Sequence, residues 1–231
     1  LVLQALAAGL NCPLSSSLGR LFDAVASILD LCQVLSYEGQ SGLLLQGVAT
    51  DHTLSPSGPI DGPPFGGNPM PGVPMEVPNP YPLPLRPAEG LPLGWLDWQP
   101  LLLALLADRA DGQTAATCSA RFHQAISRGL AELLDTAAGP RGCRQVVLAG
   151  GCFQNGLLLH ALLHALRAAG LQPHWGEQLP CNDGGLALGQ IWAARMGLSI
   201  TPAGRLPPNA RDVPCRERTD PGDPSPPSRR G

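Results

Sequence analysis

Between residues 14 and 32 the apolar positions Leu18, Leu21, Phe22, Val25, Ile28, Leu29 and Cys32 recur at helical spacing. Arg20, Asp23, Ser27 and Asp30 occupy the opposite face. The pattern predicts an amphipathic helix with an N-cap among Ser15, Ser16 and Ser17, followed by a turn at Tyr37-Glu38-Gly39-Gln40. Residues 95–137 read as helical again, with Pro100 suited to the first turn of a helix through Leu101–Leu106. A second helix carries Phe122, Ala125, Ile126, Gly129, Leu130, Leu133 and Leu134 in one stripe and ends at Gly139-Pro140. From residue 145 the period changes. Gln145–Ala149 has the pattern of a short buried strand, Gly150-Gly151 follows, and a helix runs from about Gly156 to Ala169. A weaker strand at 171–175 leads to Asn182-Asp183-Gly184-Gly185, which opens a last helix to about Met196. Strand, turn and helix in this repeated order predict an α/β fold.

The stretch 51–94 breaks the pattern. Prolines fall every few residues and Gly66-Gly67 interrupts them, so neither a helix nor a central strand is sustained there. It reads as a long loop or insert at the edge of the fold. From about Thr201 the chain is rich in Pro, Arg and Asp and is expected to be disordered. The expected organisation is a helical part at 1–50, the Pro/Gly-rich insert at 51–94, an α/β nucleotide-binding lobe at 95–198 and a tail at 199–231.

Composition narrows the classes. Hydrophobic residues make up 44% of the 231, enough for a packed core, whereas the 28 Gly and 26 Pro are clustered and imply irregular stretches beside it. A formal net charge of -3 gives no broad attraction to nucleic acid. No apolar run reaches the ~18–20 residues that span a bilayer. Leu1–Leu10 lacks the basic flank of a signal peptide and the chain does not begin with Met, so a piece of a longer protein, or a processed product, is expected. The seven cysteines include no C-x-x-C pair and their number is odd, which disfavours a zinc ribbon and suits a reduced, cytoplasmic compartment.

Several residues carry candidate chemistry. Gly150-Gly151-Cys152-Phe153-Gln154-Asn155 lies between a strand and a helix, where glycine lets the backbone approach an anion and helix-start amides favour one. The alternative is a plain tight turn. Asp183 opens the last helix as an N-cap or as a metal ligand. Asp23 reads locally as a solvated carboxylate on a polar face. His160 and His164 have metal-pair spacing, but they share a stripe with Arg167, while Leu158, Leu162, Leu166 and Ala169 form the core stripe. His123 reads as boundary packing, Trp95 and Trp98 as packing residues beside Asp97, and Cys152 as a small buried residue or a helix-start nucleophile.

Taken together, Ser16 to Ala26, Tyr37-Glu38-Gly39-Gln40, Ala120-Arg121-Phe122-His123, Gly150 to Asn155, and Asn182 to Gly185 with Leu188-Gly189-Gln190 resemble the carbamoyltransferase HypF family over about residues 10–198. The resemblance implies a TsaD-like domain of the actin-like ATPase fold, incomplete here, with a nucleotide between two lobes. It implies ATP and carbamoyl phosphate as reactants and carbamoyl adenylate as intermediate. The carbamoyl group would pass to the C-terminal cysteine of a HypE-like partner in nickel–iron hydrogenase maturation. Carried over, Asp23 would contact the nucleotide ribose, with Gly39 and Gln40 near the same ligand. Gly150 and Gly151 would line the phosphates, Asn155 would contact the nucleotide, and Asp183 would ligate a divalent metal. The family's metal histidines, an H-x-x-x-H motif, lie upstream of the matching region; His160 and His164 have that spacing in another block. The acylphosphatase-like, zinc-finger and adenylate-forming parts of the family also lie outside the resembling region. The chain alone is therefore expected to be inactive. Two other readings are a non-catalytic nucleotide- or partner-binding remnant and a TsaD-like tRNA threonylcarbamoyl transferase. The HypF-like blocks and the lack of a basic patch weigh against the latter.

Overall fold

The computed structural model describes residues 2–10, 12, 15–51, 79–88, 91–139, 142–176 and 179–197. A short helix α1 (Val2–Ala7), with no buried residue, precedes α2 (Leu18–Ile28), whose Phe22, Val25 and Ala26 are buried as the spacing predicts. Ser17 is the N-cap of α2, although its hydroxyl makes no capping bond. The turn before Gln40 forms, with Gly39 at φ +83, but the chain then enters a helix that the periodicity does not announce, α3 (Gln40–Asp51). Gly42, Gly47, Val48 and Thr50 are weak helix formers. Packing of Leu45 and Ala49 against α2 and the long helix α5 (Ala115–Ala138) outweighs that weakness.

The expectation that 51–94 lacks regular structure is overturned at its end; residues 52–78 lie outside the described residues. Strands β1 (Leu85–Ala88) and β2 (Leu91–Leu96) form an antiparallel hairpin, pairing Leu85 with Leu96 and Arg86 with Trp95, with an irregularity between Arg86 and Ala88. Pro87 sits within it because a two-stranded ribbon leaves one edge of each strand unpaired. The expected packing role of Trp95 and Trp98 is also corrected: they are 43% and 51% exposed. Trp95 lies in the hairpin, and Asp97 between them accepts from the Gln99 N–H at 3.2 Å. Helix α4 (Gln99–Ala110) follows, with Pro100 in its first turn, and α5 is capped by the Thr114 hydroxyl accepting from Thr117 N–H.

The C-terminal part is a βαβ unit. Strand β3 (Gln145–Leu148), helix α6 (Gly156–Ala168) and strand β4 (Gln172–Trp175) form a parallel pair in the register Gln145–Gln172 to Leu148–Trp175. β3 is buried on one face only: Val146 and Leu148 are inside, whereas Val147 is 77% exposed. Helix α7 (Leu186–Arg195) closes the described chain.

Two cores hold these elements. Phe22, Val25, Leu45, Leu101, Phe122, Ile126 and Leu158 form the first. Val146, Leu148, Leu162, Leu166 and Leu171 anchor the second. Helix α6 contributes to both, so its first turn is fixed against α5 and α3 while its remainder backs the strands. Among the described residues no helix is long and apolar enough to cross a membrane.

Candidate functional site

The start of α2, the turn before α3, the 3-10 turn Gly151–Gln154 and the 3-10 turn Asp183–Gly185 surround a cleft of about 570 Å³. Its wall includes Asp23, Gly39, Gly151, Asn155 and Asp183, five candidates from distant parts of the sequence. Gln40 and Gly150, the other two candidates, do not line it. The Gln40 Oε1 accepts from the Ser36 N–H at 2.7 Å. Gly150 has φ 118 and ψ 157, a conformation open in practice only to glycine, and its N–H donates to the Cys181 carbonyl at 2.6 Å. The two glycine-rich turns are thereby tied together.

Asp23 is not the solvated carboxylate of the local reading. Its side chain is only 20% exposed, and the buried Ser41 hydroxyl donates to Oδ1. Arg20 stands 2.9 Å from Oδ2. The guanidinium is not aligned to donate, so Oδ2 stays buried without a hydrogen bond.

The glycine turns hold fewer open amides than the helix-start argument expects. At the α6 N-terminus, Gly156 N–H donates to Gln46 Oε1 at 2.8 Å and Leu158 N–H to Asn155 Oδ1 at 2.9 Å. In the second turn, Gly184 N–H donates to Asn182 Oδ1 at 3.1 Å and Gly185 N–H to the Asn182 carbonyl at 3.0 Å. Asn182, not Asp183, is the cap, which leaves Asp183 exposed in the cleft wall. The Gly151 amide makes no hydrogen bond among the described residues and remains free for an anion.

The two Nδ2 hydrogens of Asn155 go to the Gly42 carbonyl at 3.0 Å and to His123 Nε2 at 2.9 Å. His123 is not at a boundary: it is fully buried, edge-on to Phe22 and Phe122 with ring centroids 5.4 and 5.7 Å away. Burial pushes its pKa down to about 4, so the ring is neutral near pH 7. Apolar periodicity missed His123 as an inward residue because imidazole is scored as polar. It missed Ser41 and Gln46 because α3 was not foreseen.

Cys152 lies half-buried beside Asp23, and burial first, then that carboxylate, pushes its thiol pKa up. That environment disfavours the thiolate and speaks for the small buried residue over the helix-start nucleophile. His160 donates from Nδ1 to the Gly156 carbonyl at 2.8 Å and His164 is exposed, both away from the cleft wall. Arg121, in the same block as His123, serves elsewhere: it and the Tyr81 hydroxyl both reach Asp108 Oδ2 at 2.6 Å. No group of three or more His, Cys, Asp or Glu side chains among the described residues could hold a metal ion. Asp183 therefore does not make a metal site from these residues alone.

Residues 1–190 match the family model described as carbamoyltransferase, Kae1-like domain, second subdomain. The chain thus belongs to the HypF carbamoyltransferase family. It is 39% identical over 201 residues to carbamoyltransferase HypF2 of Cupriavidus necator, covering 84% of this chain and 24% of that protein. It is 35% identical over 182 residues to carbamoyltransferase HypF of a Synechocystis species, covering 78% and 20% respectively. Among solved structures it is similar to full-length HypF in a phosphate- and nucleotide-bound form, with TM-score 0.67 and 26% identity over 86% of this chain and 23% of that one. The T. kodakarensis HypF structure shares the fold, with TM-score 0.63 at 24% identity over 85% of this chain and 22% of that one. The chain therefore spans about a quarter or less of the length of these relatives.

Proposed function

We propose that this chain is the nucleotide-holding segment of a cytoplasmic HypF-type enzyme that uses carbamoyl phosphate and ATP. In the complete enzyme, carbamoyl adenylate forms. The C-terminal cysteine thiolate of a HypE-like protein then attacks the carbamoyl carbon and AMP leaves. Asp23 takes the ribose, the Gly39-Gln40 turn borders the same ligand, and Gly150 and Gly151 shape the phosphate end. Asn155 completes the wall, and Asp183 is offered as one ligand of a divalent metal whose other ligands lie outside the described residues. The observation that carries the reading is the convergence of Asp23, Gly39, Gly151 and Asp183 on one cleft of about 570 Å³, a volume suited to a mononucleotide. Such acyl transfer needs bound phosphate and charge stabilisation more than a nucleophile of its own, in keeping with the raised pKa of Cys152.

The test is to titrate the purified chain with ATP by calorimetry and to assay it with carbamoyl phosphate, ATP and a HypE-like protein. ATP binding that Asp23→Ala removes, without multiple turnover, is expected. Binding indifferent to Asp23→Ala sinks the cleft assignment, and turnover by the chain alone sinks its proposed dependence on the rest of the enzyme. A chain that binds the HypE-like protein but no nucleotide would be a partner-binding remnant instead.

A further inference from the structure

The hydrogen bonds of Asn155 and His123 leave one consistent assignment. The Ser119 carbonyl, 2.8 Å from His123 Nδ1, can only accept. Nδ1 therefore carries the single proton of the neutral ring, and Nε2 offers a lone pair. Asn155 must then turn its NH2 group toward both Nε2 and the Gly42 carbonyl. A flipped amide would point its oxygen at two acceptors and take the cap away from Leu158 N–H. The Ser119 hydroxyl donates to the Leu45 carbonyl at 2.7 Å, so α5 grips α3 a second time, one turn further on. Gly42 follows Ser41, the donor to Asp23. The buried imidazole thus connects to both walls of the cleft: through Gly42 to Ser41 and Asp23, and through Asn155 to the Gly151 turn and α6. The Phe22 and Phe122 rings shield it from water.

We propose that His123, acting through Asn155, is a positioning residue that fixes the separation of the α3 and α6 starts across the cleft. Its consequence for ligand binding rests on the nucleotide reading above; the positioning itself does not.

Two variants of the 231-residue chain test it. His123→Phe keeps an aromatic ring edge-on to Phe22 and Phe122 but removes both hydrogen bonds. His123→Gln keeps one donor and one acceptor. Hydrogen exchange at the amides of 42–45 and 156–158 is expected to quicken about tenfold in the Phe variant, the size of one lost buried hydrogen bond. Exchange at 162–171, in the second core, stays unchanged, and the Gln variant stays close to the parent at all these sites. ATP affinity follows the same order, about tenfold weaker for Phe and nearly restored for Gln. Parent-like exchange in the Phe variant, or failure of Gln to restore it, overturns the proposal. Should the Phe variant not fold, Asn155→Asp decides: it retains the cap and loses both donors, so parent-like exchange at 42–45 would overturn the proposal equally. Absence of ATP binding by the parent chain would count against the nucleotide reading, while the exchange data still settle the positioning.

Discussion

The N–H of Gly150 donates to the carbonyl of Cys181 across 2.6 Å, and this bond sets the glycine turn after β3 against the loop that carries Asp183. It requires the Gly150 backbone at φ 118, which an L side chain rarely adopts, although the space around the missing Cβ is open. Gly150→Ala should therefore cost about 1–3 kcal/mol through backbone strain alone. Gly151→Ala, also in open space but without a left-handed φ, should cost under about 0.5 kcal/mol. Urea unfolding of the two variants side by side measures the difference, and equal losses would mean that the turn is not strained as described.

Ser41 is almost fully buried and its hydroxyl is aimed at Asp23. With Oδ2 of Asp23 already lacking a hydrogen bond, Ser41→Ala would leave both carboxylate oxygens without a donor. The expected loss is about 1–3 kcal/mol of stability, with a weaker affinity for ATP. Ser41→Thr keeps the hydroxyl and is expected to retain more of both. Thermal melts with and without ATP read the two effects separately.

The helices and the βαβ unit were legible because burial there follows one period at a time: Phe22 and Val25 on α2, Phe122 and Ile126 on α5, Leu158, Leu162 and Leu166 on α6. The periodicity did not announce helix α3, since its glycines and β-branched residues argue against a helix and what holds it is tertiary: the burial of Ser41, Leu45 and Ala49 and the hydrogen bonds from Asn155 to Gly42 and from Ser119 to Leu45. The hairpin was hidden by Pro84, Pro87 and Pro92. At the cleft, glycine and carboxylate residues were visible as turn chemistry. The interior that supports them was not, because a buried histidine and a buried serine look like surface residues until their partners, 18 to 32 positions away, are in place.

Gly94 is the point on which the hairpin depends. Its φ is +71, and an added Cβ would lie 2.1 Å from the Arg86 carbonyl oxygen, a backbone atom that cannot step aside without breaking the β1–β2 pairing. Gly94→Ala is expected to destabilise the fold by about 3 kcal/mol or to unpair the hairpin locally. Faster exchange confined to 85–96, with the cleft residues unaffected, would mark local unpairing. A stability equal to the parent's would contradict the described backbone.

His123 also makes stability depend on pH with a definite sign. Its folded pKa is about 4 against an ordinary 6.5, because burial disfavours the charged ring more than its hydrogen bonds to Ser119 and Asn155 support it. Between those two values the unfolded chain binds a proton that the folded chain does not, so stability is full above pH 6.5 and falls as the pH drops toward 4. From pH 7 to pH 5 the loss due to this group is about 2 kcal/mol. Carboxylates titrate in the same range, so the measurement is the difference between the parent chain and His123→Gln, which has nothing to protonate there. Urea unfolding at both pH values should give a steeper decline for the parent by about that amount. Parallel declines would mean that the ring takes up its proton in the folded chain as readily as in water, which the Nε2 contact with Asn155 and the enclosing phenylalanines do not permit.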